Sequence, residues 1–142
     1  MADIADTIEA HELRLMQAWM RRDAGAFRKL AARDCMFVFG TNPPELLDRA
    51  SFTEAIENDF RCLGFRMGES VGRRHGRAAW FTAAADLELK FGARAWEGRF
   101  LMTGLWRKFR IGGWKLVARR LATLDKDERL AQSVRRLQMW QN

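Results

Sequence analysis

Between Ala79 and Lys90 the chain alternates, with Ala79, Phe81, Ala83, Ala85, Leu87 and Leu89 on one parity and Thr82, Asp86, Glu88 and Lys90 on the other. A period of two over such a length specifies an extended strand with one apolar face, because a helix would scatter those positions around its axis. A strand of this kind cannot hide its apolar face alone and needs neighbouring strands and a covering layer. Neighbours are at hand. Gly64 to Val71 reads as a preceding strand joined through the hairpin sequence VGRRHGR. Arg94 to Phe109 reads as a following one, and Trp114 to Thr123 as the last, after an Ile111-Gly112-Gly113 turn.

The first sixty residues read as the covering layer. Asp6 is placed to N-cap a helix with Glu9 as capping-box partner, and Ile8, Leu15 and Trp19, with Ile4 and Glu12, trace a mostly apolar face that ends at Arg22. Asp23 caps a second, shorter helix carrying Phe27 and Leu30, closed by Arg33-Asp34. The run CMFVFG is a short strand, Thr41-Asn42-Pro43-Pro44 a turn, and Ser51 with Glu54 a second capping box opening a helix through Ile56 and Phe60. From Leu124 the spacing turns helical again through Leu130, Val134, Leu137 and Trp140. The expectation is an α+β domain over residues 1–124, with three helices on a strongly curved mixed or antiparallel sheet, and a C-terminal helical extension over 125–142.

Composition narrows the class. With 142 residues, 48% of them hydrophobic, the chain can bury one sizeable core. The opening residues mix acids and bases through every apolar run, so neither a signal peptide nor a membrane span is expected, and we place the protein in the cytoplasm. Cys35 and Cys62 are too far apart for a CxxC motif and read as reduced, structural thiols.

The net charge of +7 raises the question of nucleic acid, which its distribution answers better than its total. Residues 1–60 hold 7 Lys and Arg against 11 Asp and Glu (−4), and residues 61–142 hold 18 against 7 (+11). No acid occurs from Gly98 to Leu124, where Arg99, Arg107, Lys108, Arg110, Lys115, Arg119 and Arg120 fall. The basic hairpins lack a recognition helix, a zinc signature and the aromatic pattern of an RNA-binding sheet, so nucleic acid is disfavoured. The surplus fits better an anion-accepting pocket wall, or hairpins that keep a dimer soluble.

Three segments in this order resemble the NTF2-like superfamily and within it the SnoaL-like proteins, a group akin to the ketosteroid isomerases. They are AWMRRDAGAFRKLAARDCMFVFG, LLDRASFTEAI and GRFLMTGLWRKFRIGGWKLVARRL. The telling elements are Trp19 spaced four before Asp23, the Arg-Asp before the first strand, and the Gly-x-Trp-Lys-Leu-Val of the last. The resemblance covers about residues 5–123. It implies a cone of three helices closed against a curved sheet, with an apolar pocket inside. It also implies a carboxylate base near Phe39 and an acid near Trp106 for the isomerase reaction. Both positions are apolar here and the chain has no tyrosine, so that mechanism is not supported.

Other chemistry is weighed residue by residue. His75, in GRRHGR, reads as a hairpin-tip histidine. His11 sits between two acids at the boundary of the first helix's apolar face, from where it could reach a pocket mouth. Two histidines without Cys or Asp at ligand spacing predict no metal site, and the glycines lack the context of a phosphate loop, so no cofactor is expected. On the last two strands, Phe100, Met102, Gly104 and Trp106 share one face and Val117, Arg119 and Leu121 another. By the family resemblance Trp106 faces inward and Arg119 with it, as an anchor for an anionic group. Arg119 could equally pair with Asp86 or Glu88 or face solvent, and a single bulge would exchange it with Arg120.

The expected function is binding of a small, mostly apolar or anionic ligand through Trp19, Phe39, Trp106 and Arg119. One alternative is an isomerase-, dehydratase- or cyclase-type enzyme using His11, Asp86 or Glu88 as general base. The other is a non-catalytic association domain. A homodimer through the sheet is the expected assembly, because a strand apolar on both faces needs an outer cover.

Overall fold

A computed structural model describes residues 3–40 and 43–124. The elements are α1 (Ile4–Met20), α2 (Ala24–Leu30), β1 (Ala31–Phe39), β2 (Glu45–Asp48), α3 (Arg49–Asn58), β3 (Phe60–His75), β4 (Ala78–Phe91), β5 (Arg94–Phe109) and β6 (Gly113–Thr123). They form a six-stranded sheet in the order β2-β1-β6-β5-β4-β3. Only β1 and β6 run parallel, so the sheet is mixed. The α+β architecture follows the expectation. The expected C-terminal helix lies outside the described residues.

The period-two stretch lies inside β4, where burial alternates from Ala79 to Leu89 as the sequence does. Of its neighbours, β5 keeps the bounds read from the sequence, whereas β3 runs longer than its pattern suggests, from Phe60 to His75, because it pairs with β4 along nearly its whole length. The loop before α3 is not all turn. Glu45–Asp48 adds to β1 as a short outer strand in which Leu47 alone is half-buried, too faint a pattern to read from sequence.

Helix starts differ from the capping boxes. The N-cap of α1 is Asp3, so the helix takes in Ile4, which packs against the core, and places Asp6 in its first turn. The N-cap of α3 is Asp48, whose carboxylate accepts from the Ser51 N–H at 2.7 Å. Asp23 caps α2 as read, accepting from the Ala26 N–H at 3.0 Å. β1 begins directly after α2, so Arg33 and Asp34 are exposed strand residues at a register shift rather than a helix end.

The helices pack on one face of the sheet through an aromatic cluster. Phe52 of α3 stacks on Phe37 of β1 at 4.2 Å and on Phe27 of α2 at 5.0 Å, while Trp19 of α1 meets Phe52 and Phe60 edge-on. Each such pair adds about 0.5–1.5 kcal/mol beyond its buried area and ties three helices to two strands. Arg22, in the left-handed region at φ 57, donates to the carbonyls of Glu57 and Asn58 at 2.7 and 2.8 Å, closing the end of α3. Among the described residues no helix is long and apolar enough to cross a membrane.

Candidate functional site

The buried stripe of α1 contains Ile8, Glu12, Leu15 and Trp19 at helical spacing, which carries a carboxylate into the middle of the core. Glu12 is 0% exposed. Burying a charge is tolerated only with a partner and hydrogen bonds, and here β5 and β6 supply both. Trp106 donates its indole N–H to Glu12 Oε1 at 2.8 Å, and Arg119 donates from Nη2 to Glu12 Oε2 as a buried ion pair.

Two backbone features make this arrangement possible. Gly104 stands opposite Arg119 in the β5–β6 register, and a Cβ there would lie 2.7 Å from Glu12 Oε1 and 3.2 Å from Trp106 Nε1. The glycine leaves the space that the carboxylate fills. In β6, Trp114 and Leu116 face the core, and an unbroken alternation would bring Arg120 inward after them. The register shifts between Leu105 and Trp106, where Leu105 pairs with Ala118 and Trp106 with Leu116. That irregularity turns Arg119 and Leu121 inward and leaves Arg120 exposed.

Arg119 is 4% exposed, and its Nη1 has no acceptor among the described residues. On its other side lies β1, with Phe37 paired to Arg119 in register. Burial pushes the Cys35 thiol up to about 12, with the positive charge of Arg119 acting against that rise.

His11 precedes Glu12 on α1 and is half-buried, its ring edge-on to Trp106 at 5.6 Å. Its Nδ1 is 2.8 Å from the Thr7 carbonyl. A carbonyl can only accept, so Nδ1 carries the proton, and in the neutral ring Nε2 keeps its lone pair.

Of the residues singled out in the sequence, Trp106 and Arg119 come together, with His11 beside Trp106. Trp19 is buried, donating to the Phe60 carbonyl at 3.0 Å within the aromatic cluster. Phe39 is half-buried at the end of β1, its ring 6.2 Å from Phe60. Asp86 and Glu88 are exposed on the opposite face of β4, because Ala85, Leu87 and Leu89 take the inward parity; Asp86 lies 3.8 Å from Arg99. His75 is exposed. Glu12 is the member that sequence reasoning missed as a site residue. Its signal was an acid on an apolar stripe, which gains meaning only beside an inward arginine.

The sequence model of the SnoaL-like domain matches residues 8–121, a span that contains every residue of this cluster. The chain belongs to the SnoaL-like family of the NTF2-like superfamily. Its fold is that of other SnoaL-like and NTF2-like domains. An NTF2-like protein from Cytophaga hutchinsonii superposes with a TM-score of 0.78 at 15% identity, covering 87% of this chain and 100% of that one. A CaMKII hub from S. rosetta gives 0.69 at 17% identity, covering 85% and 97%. A ketosteroid isomerase-like protein from Erwinia carotovora atroseptica gives 0.65 at 14% identity, covering 88% and 99%. At these identities the likeness is one of fold. No curated protein matches the chain.

Proposed function

We propose that this SnoaL-like protein binds a small, mostly apolar molecule inside the cone, anchored by a hydrogen bond from Arg119 to an acceptor on the ligand. The observation that carries this reading is the buried Arg119 Nη1 without an acceptor. An unmet guanidinium N–H in a dry interior costs free energy that a ligand oxygen would recover. The Glu12 carboxylate already balances the Arg119 charge. A carboxylate ligand would therefore bring an uncompensated charge into the core, whereas a ketone or hydroxyl would not. This favours a neutral acceptor over the anion suggested by sequence.

The test is a matched pair of probes, 2-decanone and decanoate, followed by the melting temperature. The ketone raises it more than the acid does, and the shift disappears in Glu12→Leu/Arg119→Leu, a double change that removes both buried charges together. A larger shift with decanoate overturns the neutral-acceptor reading; a ketone shift that survives the double change overturns the Arg119 anchor.

His11 favours an enzymatic form of the same reading. Its Nε2, without a partner among the described residues and beside Trp106, suits a general base that takes a proton from a carbon next to a bound carbonyl. Deuterium uptake from D2O into 2-decanone, catalysed by the protein and lost in His11→Gln, supports it. Absence of catalysed exchange leaves a binding protein.

A homodimer through the outer sheet face accompanies either form. Leu101 and Leu105 of β5 and Met36 of β1 are 37%, 41% and 37% exposed there, with half-buried Ala118 and Ala122 of β6 between them and Ala84 of β4 beside Leu101. Such a face gains by being covered. The likeness to a CaMKII hub is compatible with this assembly. Free buried cysteines accord with a reducing cytoplasm.

A further inference from the structure

Two turns meet at one end of the sheet, the β3–β4 turn after His75 and the β5–β6 turn after Phe109, joined by the Lys108 N–H donating to the Arg77 carbonyl at 2.7 Å. Six cations are exposed on them or on the strand ends leading into them: Arg73, Arg74 and Arg77 at one, Arg107, Lys108 and Arg110 at the other. None makes an ion pair among the described residues. No acid occurs in residues 70–85 or 98–124. Among the described residues, the acids that approach this end are Asp3 and Asp6, where α1 crosses β3 and Ala5 packs on Gly72, at the sheet edge two strands from the β5–β6 turn.

At the tip of that turn Ile111 is 89% exposed. It is followed by Gly112 and Gly113 at φ 92 and 69, a left-handed pair that holds the side chain out from the sheet. An apolar tip ringed by cations matches a surface that is anionic outside and apolar just beneath, which is the chemistry of an acidic bilayer. Two of the aromatic rings nearby are already engaged. Arg74 covers Trp114 at 5.4 Å, and Arg107 and Lys115 flank Phe109 at 5.3 and 5.7 Å. These rings already have cations over them, and among the described residues no helix projects from this end to enter a groove.

We infer that this end of the sheet docks on an anionic lipid surface, with Ile111 entering the boundary between headgroups and acyl chains and the six cations lying over the headgroups. The docking does not depend on what binds at Arg119.

Co-sedimentation of the full chain with phosphatidylserine–phosphatidylcholine vesicles tests this, with phosphatidylcholine vesicles and a single-stranded oligonucleotide as the other arms. The expected result is binding to the mixed vesicles only, weakening as salt rises. Lys108→Glu/Arg110→Glu lowers affinity by more than about tenfold. Ile111→Ser lowers it several-fold and keeps the salt dependence. These side chains are exposed, so each variant melts as the parent does. Equal binding to both vesicle types, unchanged binding by the charge-reversed variant, or binding to the oligonucleotide without binding to vesicles overturns the proposal.

Discussion

Glu12 and Arg119 are each costly alone in the core and tolerable together. Removing one leaves an unpaired charge in a dry site, so Glu12→Gln or Arg119→Leu should each lower unfolding free energy by about 3–5 kcal/mol. In the double Glu12→Leu/Arg119→Leu variant the loss should fall well short of the sum, read from urea unfolding as a double-mutant cycle. The cysteines make a second prediction. Burial raises Cys35 to about 12 and Cys62 to about 11, both above the ordinary thiol value of 9.0. Raised folded values mean that the neutral thiols contribute stability fully below pH 9, and that it is lost as pH climbs through 11 and 12. Native protein at pH 8 should resist iodoacetamide, react fully in urea, and melt earlier as pH rises beyond 9. At this scale the sequence could pose Arg119 against Arg120 but not choose, since the choice rests on a register irregularity in β6 that no residue announces.

For whole elements, legibility followed the strength of pattern. β5 was readable from Arg94 to Phe109 because Gly92 with φ 61 and the turn after Phe109 mark both ends. β2 was not, since an outer strand with one half-buried residue has no periodicity to show. The starts of α1 and α3 were misplaced because two capping side chains compete near each, Asp3 with Asp6 and Asp48 with Ser51, and the choice depends on where the apolar stripe meets the sheet. Gly104 shows an element yielding to a site. A glycine inside a strand ordinarily weakens it by about 0.5–1 kcal/mol, which by itself would make Gly104→Ala stabilising. The added methyl would instead displace a carboxylate held on both sides, and such overpacking costs about 1–3 kcal/mol. Gly104→Ala should therefore lower the melting temperature, and should do so less when Glu12 and Arg119 are both leucine.

As a whole molecule, the chain sets an acidic helical half against a basic sheet, and the excess collects at one end of the sheet while the outer face stays partly apolar. Light scattering at micromolar concentration should report a dimer, and Leu105→Glu should yield a monomer; a parent that is already monomeric contradicts the sheet-face assembly. The fold class was open to reading because alternation and helical spacing occupy separate halves of the sequence. The site was less so, since its three members lie on α1, β5 and β6 and meet only once the sheet has closed over the helix.

The claim on which the functional reading depends is that Arg119 offers its free N–H to a ligand inside the cone. It is tested most directly by the melting temperature with and without 2-decanone, measured on the parent and on Glu12→Leu/Arg119→Leu. The account predicts an upward shift in the parent that vanishes in the double variant. An equal shift in both proteins would contradict it.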